Sequence, residues 1–303
     1  MKKKITSVVI GLIFLVGLGI LLYPTISNWV NERNQSRVVA GYSEAISNMT
    51  ETDYSHYLDA AVRHNEKIAQ AGSLASAVHM EKEDNLEEYN SLLNVAGNGV
   101  MGVIEIPKIK VSLPIYHTTE DAVLQVGVGH FTGSSLPVGG ESTHCILSGH
   151  RGLPSAKLFT DLDQIVEGDV FYMEVLGDTL AYQVDQIQVV LPQEVEQLDV
   201  VPGEDYVTLV TCTPYGVNTH RLLIRGTRIA YEPQEKDGQE AGVVPAVSEK
   251  VETRKLPVMP VIAAAAFIFA LVAGTVCGNI SRKRAKKKAQ KKNSVPAEKN
   301  EKI

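Results

Sequence analysis

Cysteine is scarce in this chain: there are three in 303 residues, at positions 145, 212 and 277. Three scattered thiols do not make a disulfide framework. Neither a Cys-x-x-Cys pair nor a His-Glu-x-x-His run occurs, and no Gly-rich phosphate loop follows an expected strand, so neither metal nor organic cofactor is implied. Basic charge is missing from most of the length. The net charge is −6, yet the first four residues carry +3 and the last 23 carry +8, which leaves −17 on the stretch between them. Such an acidic body argues against a nucleic-acid partner, because phosphate binding needs a basic face.

The basic ends bracket two apolar runs. Ile5 to Tyr23 follows Lys2, Lys3 and Lys4 and holds no charge over nineteen residues, enough for a helix to cross a bilayer core. It passes into Leu21, Leu22, Tyr23 and Pro24 without a small-x-small cleavage site, which favours an uncleaved anchor over a signal peptide. Leu256 to Ile280 is likewise uncharged and is followed at once by Arg282, Lys283 and Arg284. Because positive flanks stay cytoplasmic, both ends point inward and the middle lies outside, on a two-pass membrane protein touching lipid.

Between the spans the character changes three times. Residues 1–35 hold the basic start, the first span and a linker, and residues 36–98 read as a helical spacer or lid. In the latter, Tyr54, Tyr57, Leu58, Ala61 and Val62 stand at helical spacing behind a capping box at Thr50 to Asp53. Residues 99–231 hold short β-rich runs punctuated by Pro and Gly: Val103 to Ile106, Val111 to Tyr116, His144 to Ser148, Val170 to Val175, Leu180 to Leu191, Tyr206 to Thr211 and Arg221 to Ala230. Many short strands with intervening turns indicate a sandwich or barrel. Ser155 to Ile165 is expected as one inserted helix. Residues 232–255 are a polar linker, 256–280 the second span and 281–303 a basic tail.

The chemistry-bearing segment is Thr208-Leu209-Val210-Thr211-Cys212-Thr213-Pro214-Tyr215-Gly216, a strand ending in cysteine at a Pro-Gly turn. A free cysteine is ordinarily a small buried residue. Here Ser148-Gly149-His150-Arg151-Gly152 sets a histidine at another strand end, between glycines that admit a close backbone. Arg221 opens the strand after Cys212, so a short loop would bring the two ends together. Thiol, imidazole and guanidinium converging at a barrel rim make a nucleophile, an acid/base and an anion stabiliser. Arg225, four residues on, shares the face of Arg221 and competes for its role. Histidines 117 and 130 are expected at turns or on the surface, beside Tyr116 and Phe131.

Thr208 to Cys212 resembles the sortase signature Thr-Leu-x-Thr-Cys letter for letter. Thr143 to Leu162 and Cys212 to Gly226 are similar to the pilus-assembling class C sortases, and the likeness runs from about Gly99 to Ala230. It implies a mainly β fold, an eight-stranded sortase barrel with N-terminal helices and two transmembrane helices. It also implies a transpeptidase that cuts a Leu-Pro-x-Thr-Gly-like signal between Thr and Gly. Carried over, Cys212 is the nucleophile, His150 the acid/base and Arg221 the electrophilic stabiliser. Ser148, Gly149, Thr211 and Tyr215 are candidates for contacting substrate, Cys145 an inert buried thiol, and Arg151 and His220 bystanders. Implied partners are secreted pilins or surface proteins with C-terminal sorting signals. The acceptor is a pilin lysine or, alternatively, a cell-wall precursor amine. A cysteine protease and a non-catalytic assembly scaffold are the competing classes. One departure stands out: residues 71–93 lack the Asp-Pro-aromatic triplet with which many class C lids plug the site, so an open or loosely closed thiol is expected.

Overall fold

The computed structural model describes residues 2–84 and 86–231. The second apolar run and the basic tail lie outside the described residues. Helix α1 runs unbroken from Lys2 to Ser47, through Pro24, and is the one described helix long and apolar enough to cross a membrane. Three further helices follow: α2 (Glu51–Gln70), α3 (Leu74–Asp84) and α4 (Leu86–Ser91). The expected capping box starts α2. The Thr50 hydroxyl accepts from the Asp53 amide at 3.2 Å and Asp53 accepts from the Thr50 amide at 3.1 Å, so two of the helix's orphan donors are satisfied reciprocally.

The β-rich stretch closes into a barrel. Its strands are β1 (Val100–Ile106), β2 (Val111–Tyr116), β3 (Val128–His130), β4 (Thr143–Ser148), β5 (Val170–Val175), β6 (Asp178–Val190), β7 (Asp205–Thr213) and β8 (His220–Ile229). Round the barrel the order is β1-β2-β3-β4-β7-β8-β6-β5, closed by antiparallel β1 and β5. The pairs β2/β3 and β4/β7 are parallel and the others antiparallel, which makes the barrel mixed. Alternation along the strands decides the core. Cys145, Leu147, Val207, Leu209, Leu222 and Ile224 point inward to a cluster with Phe159, Phe171 and Tyr182, while Ile146, Val210 and Leu223 face outward.

Two expectations fail locally. No α-helix spans Ser155 to Ile165; the segment is a run of turns with one 3₁₀ turn at Leu162–Gln164. Ala156, Leu158 and Phe159 are all buried, too wide an arc for one helical face, and Leu158 sits at φ 39°, outside the helical region. The three-residue β3 escaped notice because so short a run has no legible period.

The helices α2 to α4 are sealed onto the barrel by a polar seam rather than by apolar contacts alone. The Tyr89 hydroxyl of α4 lies 2.7 Å from His130 Nδ1 and accepts from the Thr118 amide at 3.3 Å. Tyr89 therefore donates to Nδ1, and His130 Nε2–H donates to the Ser135 carbonyl at 2.9 Å. That is the neutral tautomer, assigned from the network. His117 lies edge-on to Tyr89, at 5.2 Å between ring centroids. Both its ring nitrogens face carbonyls, Gly99 at 3.0 Å and Leu92 at 2.7 Å. Both histidines are thus buried structural residues and not surface ones. Their fate was set by the helical layer, which the strand pattern does not reveal.

Candidate active site

Strand β7 delivers Cys212 and strand β8 delivers Arg221, in register as direct cross-strand partners. Antiparallel partners of this kind hold their Cβ atoms about 5 Å apart. Both belong to the outward set, since Cys212 follows Val210 by two residues and Arg221 precedes Leu223 by two. His150 lies just past β4, which runs parallel to β7 with Ser148 opposite Val210. The Gly149 amide donates to the Val210 carbonyl at 3.0 Å, and the Thr211 hydroxyl donates to the Gly149 carbonyl at 2.8 Å. These bonds extend the β4/β7 ladder by one residue to the position before His150. Thr211 is itself buried, so its side chain joins two strand ends instead of meeting solvent.

Glycine is required at 149 by packing: a Cβ there would lie 2.6 Å from the Phe159 ring. Phe159 in turn donates its amide to the His150 carbonyl at 3.1 Å. Glycine at 152 combines φ 75° with the Tyr215 ring, 2.9 Å from where a Cβ would sit. Cys212, His150, Ser148 and Arg221 are half-exposed and Tyr215 is exposed, so the trio is open to solvent. Cys145 is buried, and burial pushes its thiol well above the ordinary range. It is suited to packing and not to attack.

The arginines separate by what they touch. Arg225 donates twice to Asp185, at 3.0 and 2.8 Å, and its guanidinium stacks 4.2 Å over the Tyr206 ring. Its charge-assisted bonds to Asp185 hold its pKa above the usual value. Arg228 pairs with Asp205 and Arg151 with Asp163. Among the described residues Arg221 has no carboxylate partner; it donates only to the Asn218 and His220 carbonyls, at 3.2 and 3.1 Å. Its charge is therefore the least committed on this wall. His220 shares a 2.9 Å contact with the Thr219 hydroxyl and stays at the margin.

Arg151 turns out to be a brace. Its side chain is only 9% exposed. Besides Asp163 it reaches the Thr213 hydroxyl at 3.3 Å and lies 5.8 Å from the Tyr215 ring centroid. It thus ties the residue after His150 to the residue after Cys212. The resemblance made it a bystander; the contacts with Thr213 and Tyr215, far along the chain, give it this place.

The outer face leading to Cys212 is partly occupied. Leu74 and Val78 of α3 pack with Phe131, Ile146, Val195, Leu198, Val210 and Leu223, and the Leu74 amide donates to Asp199 at 2.7 Å. Val210 stands two residues before Cys212, about 7 Å along the strand. So Leu74, Val78 and Tyr89 seat this segment on the barrel without an Asp-Pro-aromatic triplet, and the thiol itself remains half-exposed.

No group of three or more His, Cys, Asp or Glu side chains able to hold a metal occurs among the described residues. Residues 104–229 match the sortase domain family. A crystal structure of sortase C1 from Streptococcus agalactiae is 46% identical and superposes with a TM-score of 0.60, covering 65% of this chain and 100% of that one. A structure described as sortase C1 of GBS Pilus Island 1 is 43% identical with a TM-score of 0.58, covering 64% and 98%. Sortase A of Streptococcus agalactiae serotype III (strain NEM316) is 28% identical over 166 residues, which are 54% of this chain and 65% of that relative's length. With a closed eight-stranded barrel and near-complete coverage of a 46% identical sortase, the chain belongs to the sortase family of cysteine transpeptidases.

Proposed function

We propose that this sortase cleaves a Leu-Pro-x-Thr-Gly-like signal through a thioester on Cys212 and passes the acyl group to an amine. The observation that carries the reading is the cross-strand pair Cys212 and Arg221, with the β4 end bearing His150 bonded alongside. Cys212 thiolate attacks the Thr carbonyl carbon, and the developing oxyanion meets the guanidinium of Arg221. His150 imidazolium gives its proton to the glycine nitrogen as the C–N bond breaks, leaving a thioester and neutral imidazole. An incoming amine then adds to the thioester, surrenders a proton to His150 and expels the thiolate. Arginine suits the stabilising role because it stays charged and donates two parallel hydrogen bonds. Acylation therefore needs the thiolate of Cys212 and the imidazolium of His150 in the same molecule.

The 43% identity to a sortase described as belonging to a pilus island supports a pilin lysine as acceptor, with secreted pilins as partners. Transfer to a cell-wall precursor amine is the second reading, sharing the same thioester step and differing only in the amine that resolves it. The enzyme stands on the outer face of the membrane with both termini inside, α1 being one anchor and residues 256–280 the other. Because the thiol projects from the outer face, an extended peptide reaching it along β7 meets the surface held by Leu74 and Val78, so α3 has to yield. The test is to incubate the enzyme with sorting-signal peptides and seek a thioester on Cys212 by mass spectrometry. Its absence, or turnover by Cys212→Ala, would sink the reading. A product longer than one pilin subunit distinguishes the two acceptors.

A further inference from the structure

The anchor helix does not stop at the membrane. Its apolar run ends at Tyr23, and α1 continues to Ser47 with no break. Five residues past Tyr23, the Asn28 side-chain oxygen accepts from the Lys157 amide at 2.7 Å. Its nitrogen donates to Glu32 at 2.7 Å, which fixes the orientation of the amide. One turn on, the Asn31 nitrogen donates to the Ser155 carbonyl at 2.7 Å. Residues 155 and 157 belong to the loop that begins at His150, and Phe159 of the same loop bonds the His150 carbonyl. At the other end of α1, Ile46 lies 3.2 Å from where a Cβ on Gly177 would sit, at the turn between β5 and β6.

Helical rise converts these contacts into heights. Asn28 and Asn31 stand about 8 and 12 Å beyond Tyr23, and Ile46 about 27 Å beyond Asn28. The polar headgroup layer on one side of a bilayer is about 5–8 Å deep. Trp29, with the Arg33 guanidinium 5.7 Å from its ring centroid, supplies the aromatic and basic pair that settles at such an interface. We propose that the barrel stands with its catalytic end against the outer-leaflet headgroups, and that Asn28 and Asn31 are positioning residues that hold the His150 loop there. This rests on the reading of His150 as the acid/base and of α1 as an anchor. The partner of the exposed rim of the loop, at Pro154, is then a phospholipid surface. The opposite end, at Gly177 and Asp178, faces away from it.

The orientation is tested without catalysis. Full-length chain with Cys145, Cys212 and Cys277 replaced by alanine is placed in phospholipid nanodiscs and labelled with a fluorophore at Pro154→Cys or Asp178→Cys. Headgroup spin-labelled lipid should quench the first probe strongly and the second hardly at all. Equal or reversed quenching overturns the orientation, whatever the catalytic residues prove to be. The clamp is tested in the active enzyme in the same discs. Asn28→Asp made together with Glu32→Gln keeps an acceptor for Lys157 and a neutral donor beside it, whereas Asn31→Asp loses the donor to Ser155 and brings a charge against a carbonyl. Thioester formation on a soluble peptide should fall about tenfold in kcat for Asn31→Asp, the size of one lost hydrogen bond, with KM and melting temperature little changed. The Asn28→Asp, Glu32→Gln double variant should stay near the parent and Asn28→Leu should fall. If the two aspartates behave alike, or kcat is unmoved in all three, the clamp is refuted.

Discussion

Mild acid should loosen the helical layer from the barrel. His64 of α2 is buried, and desolvation, helped by Lys67 and opposed by Glu88, lowers its pKa to about 4. His130 of β3 is fully buried, and desolvation lowers its pKa to about 3 against the support of the Ser135 carbonyl, with His117 and His64 adding repulsion. Both are neutral in the fold, while in the unfolded chain they titrate near about 6.5. Stability is therefore undiminished above that pH and declines as pH falls toward the folded values. Well below pH 6.5 each histidine costs about 1.4 kcal/mol per pH unit, and because the unfolded imidazole is half protonated at about 6.5 the two together remove about 3 kcal/mol between pH 6.5 and 5. Against a total of about 5–15 kcal/mol for a domain, that loss is large. Glu174 works the other way, its carboxyl raised by burial and by Glu105, and gains stability as it protonates. Protonated His130 would carry a hydrogen on Nδ1 where Tyr89 now donates, so the seam at α4 opens first. The assay is urea denaturation at pH 7, 6 and 5 together with amide exchange in α2 and α4. His64→Leu should lower the pH slope without abolishing it, since His130 remains and burial also lowers the pKa values of His117 and His144. Equal stability at pH 7 and 5, or an unchanged slope in His64→Leu, would refute the reasoning.

Further outcomes follow from the site. Arg221→Ala and His150→Ala should each slow acylation at least about a hundredfold. Arg221→Lys should recover little, because a point charge cannot donate the paired bonds, and Arg225→Ala should chiefly lower stability. Arg151→Gln should cut acylation about tenfold by freeing the loops after His150 and Cys212, with alkylation of Cys212 by a small reagent unchanged. A parallel loss of both rates would place Arg151 in folding alone. Leu74→Asp should lift α3 from the face around Ile146 and Val210, raising the peptide acylation rate while small-reagent alkylation changes little. A large rise in alkylation would mean that the segment shields the thiol itself. External protease on intact cells should digest residues 36–255 and spare the basic tail, and the reverse pattern would invert the topology.

Local signals were read correctly where a local cause dominates. The Thr50 to Asp53 capping box is a four-residue device whose partners are near in sequence. The limits of β2 and β5 agree with the expected Val111 to Tyr116 and Val170 to Val175 because turn residues bound a clear β run. The Ser155 to Ile165 segment misled because its apolar residues sit at helical spacing, yet its backbone is held by partners remote from any helix of its own: the His150 carbonyl takes the Phe159 amide, and Asn31 and Asn28 of α1 bond Ser155 and Lys157.

By itself, the sequence determined the composition of the molecule and its chemistry. It set the apolar run of α1, the alternation that sorts β4, β7 and β8 into inward and outward faces, and the sortase signature that singled out Cys212, His150 and Arg221. Tertiary structure alone decided which arginine keeps an uncommitted charge, because Asp185, Asp205 and Asp163 reach Arg225, Arg228 and Arg151 from remote strands and loops. It also decided that His117 and His130 lie inside, that α3 packs against Val210 on the outer face, and that Asn28 and Asn31 of α1 bond the loop after His150. Each of these depends on chain segments many tens of residues apart meeting at one place, and spacing along the chain carries no record of such meetings.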